Sequence, residues 1–276
     1  MLRSILLALD DTPGALAARA MAIALARRTG AALTAAAILD RPHTLGAREA
    51  VPVGGAAFAA HRNAALAARL EAEAAAALAA AREAAGDLPI ETVTLEEAPE
   101  PALLRAGVRH DLIMLGRDST LGREETEDGL APVIPALLRD GARPLLVVPP
   151  GPAAAGPVLV GYDGSLPAMR ALHSFALLGL GAGAPVKLFS ADPDAAEAAR
   201  LAAEGAALLR RHGLAVEEWA VAGGHPAELL LAEATTTHAR MLVMGAFENS
   251  GLRTLLLGSA TRILLRRAPC PIFVQH

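Results

Sequence analysis

Three segments of this 276-residue chain occur twice, in the same order, and that internal repeat restricts the fold more than any other property. Ile5–Thr12 reads ILLALDDT and is echoed by VLVGYDGS at Val158–Ser165. DLIMLG at Asp111–Gly116 returns as RMLVMG at Arg240–Gly245, and RPLLVV at Arg143–Val148 returns as CPIFVQ at Cys270–Gln275. Pro149–Pro157, PPGPAAAGP, separates the copies. Nothing periodic crosses it, so it reads as a linker. The domains are therefore expected at 1–150 and 157–276.

Within each copy, short runs that are apolar on both faces alternate with helical patterns. The expected strands are 4–9, 32–39, 90–95, 111–115 and 144–148, then 157–162, 185–190, 215–221, 240–244 and 271–275. Such runs, separated by helices, require a parallel sheet covered on both sides. The predicted fold is α/β: two tandem doubly wound units, each a five-stranded parallel sheet flanked by helices. The copies differ after their second strand. There the first carries an extra Gly-, Pro- and Ala-rich stretch, roughly 41–60, before an Ala-rich helix at roughly 61–85.

Composition removes several classes of function. A net charge of −4 argues against nucleic acid, because phosphate neutralisation needs clustered cations. Lys187 is the single lysine and no G-x-x-x-x-G-K precedes it, which excludes a P-loop. The lone Cys270 excludes disulfides and multi-cysteine zinc sites, and its apolar setting reads as an inert buried thiol. The eight histidines show no metal-ligand spacing, and there is no G-x-S-x-G elbow. The apolar run at 5–9 is too short for a signal peptide, and prolines break the uncharged stretch 144–162. A cytoplasmic protein with no membrane partner is expected.

In an open doubly wound sheet, ligands bind beyond the carboxyl ends of the strands, where strand order reverses. In the second copy this places Asp163-Gly164-Ser165 after the first strand and Gly245 after the fourth. Gly258-Ser259 then opens a helix, whose unpaired amides and dipole favour a phosphate. The competing reading is that Ser259 is simply an N-cap, and that Asp10, Asp11 and Asp163 are caps of their helices.

The stretch from Gly245 through Ser259 resembles the nucleotide loop of the universal stress protein family, G-x-x-G-x9-G-(S/T). SGLRTLLLGS at Ser250–Ser259, RAPCPIFV at Arg267–Val274 and the Asp163-Gly164-Ser165 turn are similar to the family as well. The resemblance covers both copies and implies binding of ATP or AMP in the second. It puts Asp163 near the ribose and phosphates, Ser190 near adenine, and Gly245, Gly258, Ser259 and Ala260 around the phosphates. Glu248 stands where the family has its second glycine. A carboxylate there opposes a phosphate by on the order of 1 kcal/mol at roughly 4 Å in water. Three outcomes stay open: Glu248 turns outward, it holds a magnesium ion on the phosphates, or affinity falls.

The first copy departs further. Gly116 is kept, but RDSTLGREETEDG follows at Arg117–Gly129, and Leu130-Ala131-Pro132 replaces the Gly-Ser opening. Loss of donors and added carboxylates predict no nucleotide in that copy. The leading expectation is a regulatory or stress-adaptive adenine-nucleotide binder with no identified catalytic residue, although the family leaves slow ATP hydrolysis open. The alternatives are a nucleotide-free interaction scaffold and an adenylating enzyme of the adenine-nucleotide α-hydrolase type. The last strands suggest assembly, as an internal pseudo-dimer or a further homodimer.

Overall fold

The computed structural model describes residues 1–40, 56–123, 128–246 and 258–276. The first copy holds β1 (Ser4–Leu9), α1 (Pro13–Thr29), β2 (Ala32–Ile38), α2 (Ala56–Ala85), β3 (Ile90–Leu95), α3 (Pro99–Gly107), β4 (Leu112–Gly116), α4 (Val133–Asp140) and β5 (Leu145–Val148). The second holds β6 (Val158–Gly161), α5 (Leu166–Leu178), β7 (Val186–Asp192), α6 (Ala195–Arg211), β8 (Val216–Ala222), α7 (Pro226–Thr236), β9 (Met241–Gly245), α8 (Ser259–Arg267) and β10 (Ile272–Gln275). Every predicted strand is present, with ends shifted by no more than two residues. The Ala-rich helix starts at Ala56 rather than near 61, because alanine carries the helix into the stretch expected to be irregular. The rest of that stretch, 41–55, lies outside the described residues.

All five strands of each copy run parallel, in the orders β3-β2-β1-β4-β5 and β8-β7-β6-β9-β10. Order reverses between β1 and β4, and again between β6 and β9. The two sheets are not separate: β5 pairs antiparallel with β10, Val147 opposite Ile272, Leu146 opposite Phe273 and Leu145 opposite Val274. One ten-stranded sheet results, with β3 and β8 as its outer edges. Because the seam is antiparallel, the carboxyl ends of the two copies lie on opposite margins of the sheet.

Side-chain alternation explains why the sheet is covered on both faces. Ile5, Leu7 and Leu9 of β1 join one core cluster, while Leu6 and Ala8 join the other. The same alternation crosses the seam: Leu146, Val148 and Phe273 face the first cluster, Leu145, Val147, Ile272 and Val274 the second. Helices α1, α2, α5 and α6 contribute to the first cluster and α3, α4, α7 and α8 to the second. Phe175 of α5 meets Phe273 edge-on, with ring centroids 6.1 Å apart. The outer strands IETVTL and VEEWAVA are only partly buried, and Glu91, Glu217 and Glu218 charge those edges.

Candidate functional site

The site of the second copy is assembled from four strand and helix ends. At the end of β6, Ser165 caps α5 by accepting from the Ala168 amide at 3.3 Å. Asp163 Oδ1 accepts from the Ser165 amide at 3.0 Å, its one hydrogen bond among the described residues, and its side chain is exposed. Asp163 is therefore not the cap but a buttress for it, with lone pairs left for a ligand. Thr12 caps α1 in the same way, so neither Asp10 nor Asp11 is a cap either.

Gly245 ends β9 against the start of α5. A Cβ there would lie 2.3 Å from the Ala168 amide nitrogen and 2.5 Å from the Pro167 carbonyl carbon, so only glycine fits. At the start of α8 the N-cap is Gly258, not Ser259, and among the described residues no side chain caps the helix. Ser259 is the exposed first helical residue. A glycine cap offers the opening amides of Ser259 and Ala260 no side-chain acceptor of its own, as an anion site requires. The connection 247–257 lies outside the described residues, and Glu248 with it.

Between these ends sits a cavity of about 190 Å3. Gly161, Phe189 and Ala191 line it from the strands, Pro226, Ala227 and Leu230 from α7, and Ala260 and Leu264 from α8. Tyr162 and Asp163 complete it. The walls are apolar and the volume is below that of a drug-sized pocket, so the space suits one ring rather than a whole ligand. Arg267 and Glu228, paired at 2.6 Å, tie α8 to α7 and hold two of its walls together. A ring seated here has Asp163 on one side and the start of α8, through Ala260, on another.

The predicted residues are thus brought together unequally. Asp163 and Ala260 line the cavity, and Gly258 and Ser259 directly precede Ala260. Gly245 sits against α5 and shapes the turn. Ser190 is buried at 1% exposure and donates to the Tyr162 carbonyl at 2.7 Å. Its flanking residues Phe189 and Ala191, not Ser190, face the cavity. The α7 residues were not read from the sequence. Their one visible signal is Pro226 at a helix start, beside the end of β8.

Other chemistry-bearing groups are paired or buried. Lys187 Nζ pairs with Glu233 at 2.8 Å and sits 4.8 Å from the centre of the Trp219 ring. Its pairing with Glu233, against the cost of burial, raises its pKa. Burial pushes the Cys270 thiol up to about 12, in keeping with an inert thiol. Burial, then the hydrogen bond to Glu204, pushes the Tyr162 phenol up to about 12. Among the described residues no cluster of three metal-ligating side chains occurs, and no helix is long and apolar enough to cross a membrane.

The matching margin of the first copy is built differently. Asp10 accepts from the Thr12 amide and hydroxyl, as its repeat position predicts, but also from the Leu121 amide at 3.0 Å and the Ser119 hydroxyl at 3.5 Å. Asp118 accepts from the Gly14 amide at 3.0 Å. Helix α4 starts after Pro132, which has no N–H to offer an anion. A larger cavity, about 520 Å3, opens on the α2 side, between Asp10, Asp11, Ile38, Leu70, Glu73 and Arg123. Its cations are already engaged, Arg69 with Glu73, and Arg123 with Asp40 and Glu100.

Known proteins resemble this architecture along its whole length. A family model described as the universal stress protein family matches residues 1–149 and again 155–276. A universal stress protein from Thermus aquaticus, named for its position 3' of a QAH/OAS sulfhydrylase, is 30% identical over 131 residues, 42% of this chain and 96% of that protein. Two solved structures share the fold across 99% of the chain. A universal stress protein of Archaeoglobus fulgidus has a TM-score of 0.68 at 19% identity over 97% of its own length. A protein of Pseudomonas aeruginosa described as a putative universal stress protein has a TM-score of 0.59 at 20% identity over 93%. With two matches that together span nearly every residue, the chain belongs to the universal stress protein family, as a tandem of two such domains.

Proposed function

We propose that this protein binds one adenine nucleotide, ATP or AMP, per chain, in its second copy only, and that it acts as a regulatory or stress-adaptive binder rather than through turnover. One observation carries the reading: a ring-sized apolar cavity shares Asp163 with the end of β6 and Ala260 with the uncapped start of α8. The ring would pack between Phe189, Ala191 and Leu230, the ribose hydroxyls would donate to Asp163, and the phosphates would lie on the amides of Ser259 and Ala260. A magnesium ion, if carried, would arrive with the phosphates. The cytoplasmic location and any homodimer belong to the same proposal.

Calorimetry with ATP, AMP and adenosine tests it. Wild type is expected to take one equivalent of ATP. Asp163→Ala is expected to weaken ATP and adenosine together by about tenfold, the loss of one hydrogen bond to a charged group. Ser259→Pro removes an amide and a hydroxyl at a position where proline suits a helix, and Gly258 already has the extended ψ of 153° that a following proline needs. That variant is expected to weaken ATP by tenfold or more and to leave adenosine unchanged. Absence of ATP binding by wild type at millimolar concentration overturns the proposal.

A further inference from the structure

The cavity enclosed by the described residues of the second copy has a counterpart in the first, and Leu121 borders it. Leu121 is 2% exposed, lies on the same buried face of the sheet as Ala8, Ala36 and Ile38, which match Gly161, Phe189 and Ala191 of the second copy's cavity, and lines a cavity together with Asp10 and Ile38. Leu103 lies on that face too, and is the fifth residue of α3, as Leu230 is of α7. The space left between Pro99, Leu121, Pro132 and Val133 is too small for a water molecule.

The backbone around Leu121 is held as a ligand would be. Its amide donates to Asp10, the repeat partner of Asp163. Two residues on, Arg123 pairs with Asp40 at 3.2 Å and Glu100 at 2.5 Å, tying the segment to the end of β2 and the first turn of α3. Burial works against the Arg123 cation, and the two carboxylates more than offset it. At the other end of the segment, Asp118 docks on the α1 amide of Gly14. A Cβ on that residue would lie 2.0 Å from the Asp118 carboxylate, so glycine is what admits it. The second copy has Pro167 in that place, with no N–H to offer. Leu121 itself sits at φ 50°, a left-handed conformation that leucine adopts only when its surroundings impose it.

We propose that residues 117–123 are a built-in occupant of the first copy's slot. Leu121 stands in for the ring and its amide for a ribose hydroxyl, so the ring slot is filled in the first copy, while the larger cavity on the α2 side stays open beside Leu121. The proposal builds on the nucleotide reading only for the identity of the second copy's guest. Behind the plug, the slot fits an uncharged planar ring. It is not a phosphate site, because Asp118 holds the adjacent helix start and Pro132 removes a donor.

Leu121→Gly tests this directly, since glycine relieves the left-handed backbone while deleting the plug. Indole and adenosine are titrated into isotope-labelled wild type and variant, with shifts followed at the amides of Ile38 and Leu103. The variant is expected to take a second equivalent of either probe, in the first copy, at affinity at least tenfold above wild type, while its ATP stoichiometry stays at one. A natively folded variant with no added binding, or wild type that already fills both copies, overturns the plug. If wild type binds no ATP yet indole enters the variant's first copy, the nucleotide reading falls and the plug stands. Should Leu121→Gly fail to fold, Arg123→Ala is read by hydrogen exchange. At least tenfold faster exchange of the Leu121 amide supports the plug, and unchanged exchange overturns it.

Discussion

Gly245 and Cys270 show how single positions carry the packing of this sheet. At Gly245 any side chain meets backbone, which cannot swing aside as a flexible side chain can. Gly245→Ala is therefore expected to cost about 3 kcal/mol, the upper part of the range for overpacking, measured by urea denaturation. Cys270 titrates from an ordinary 9.0 to about 12 because burial penalises its thiolate. The unfolded thiol ionises above pH 9 while the folded one stays protonated. The associated stability is thus complete below pH 9 and declines as pH rises towards 12, by at most about 1.4 kcal/mol per unit. Cys270→Ala is expected to show a shallower decline than wild type between pH 9 and 11. Equal slopes would mean that other groups, such as Tyr162, account for it.

At the scale of elements, three helix starts are closed by a side chain, and among the described residues α3, α4, α7 and α8 start without one. Thr12, Ser165 and Asp194 cap α1, α5 and α6 with their own side chains. Ser165→Ala is expected to cost about 1 kcal/mol in thermal or urea unfolding, and a change near zero would mean that Asp163 alone secures that turn. Helix α8 begins on glycine without such a cap, although Ser259 stands next to it in the sequence. The proposed phosphate-binding residues at this start are visible in the sequence, but whether the serine closes the helix is not. That depends on which residue has extended backbone, and here it is Gly258. Ser190 is the opposite case: expected at a strand end, it lies two residues inside β7 and turns inward to the Tyr162 carbonyl, a direction that a parallel strand buried on both faces does not announce.

The whole molecule is one sheet because each copy would otherwise end in an uncovered strand. Residues 157–276 alone would expose the β10 edge that now pairs with β5. That fragment is expected to pair with itself through β10 and to elute as a dimer in light-scattering chromatography, whereas a monomeric fragment would show that the edge is tolerated. Joining the copies also places their carboxyl margins on opposite sides of the sheet, so the two slots cannot share one ligand. Contacts across the seam extend beyond the strands: Arg117 donates to the Ala268 carbonyl at 2.8 Å, and Arg266 pairs with Asp128. The C-terminal turn of α8 is thus gripped by the first copy's remodelled loop.

The repeat and the ten strands, with the strand ends proposed to carry the site, were legible in the sequence, because apolar periodicity and glycine placement are local properties of the chain. Lost donors and added carboxylates likewise marked the first copy as the altered one. What the sequence did not determine is how that copy is closed. Leu121 looks like any loop leucine until Asp10, Asp40, Gly14 and Glu100, distant along the chain, converge around its segment. Nor did it show that the apolar wall of the open site comes from α7. Which side chain fills a space is decided by the neighbours that bound the space, and those neighbours exist only once the sheet has brought the strand ends together.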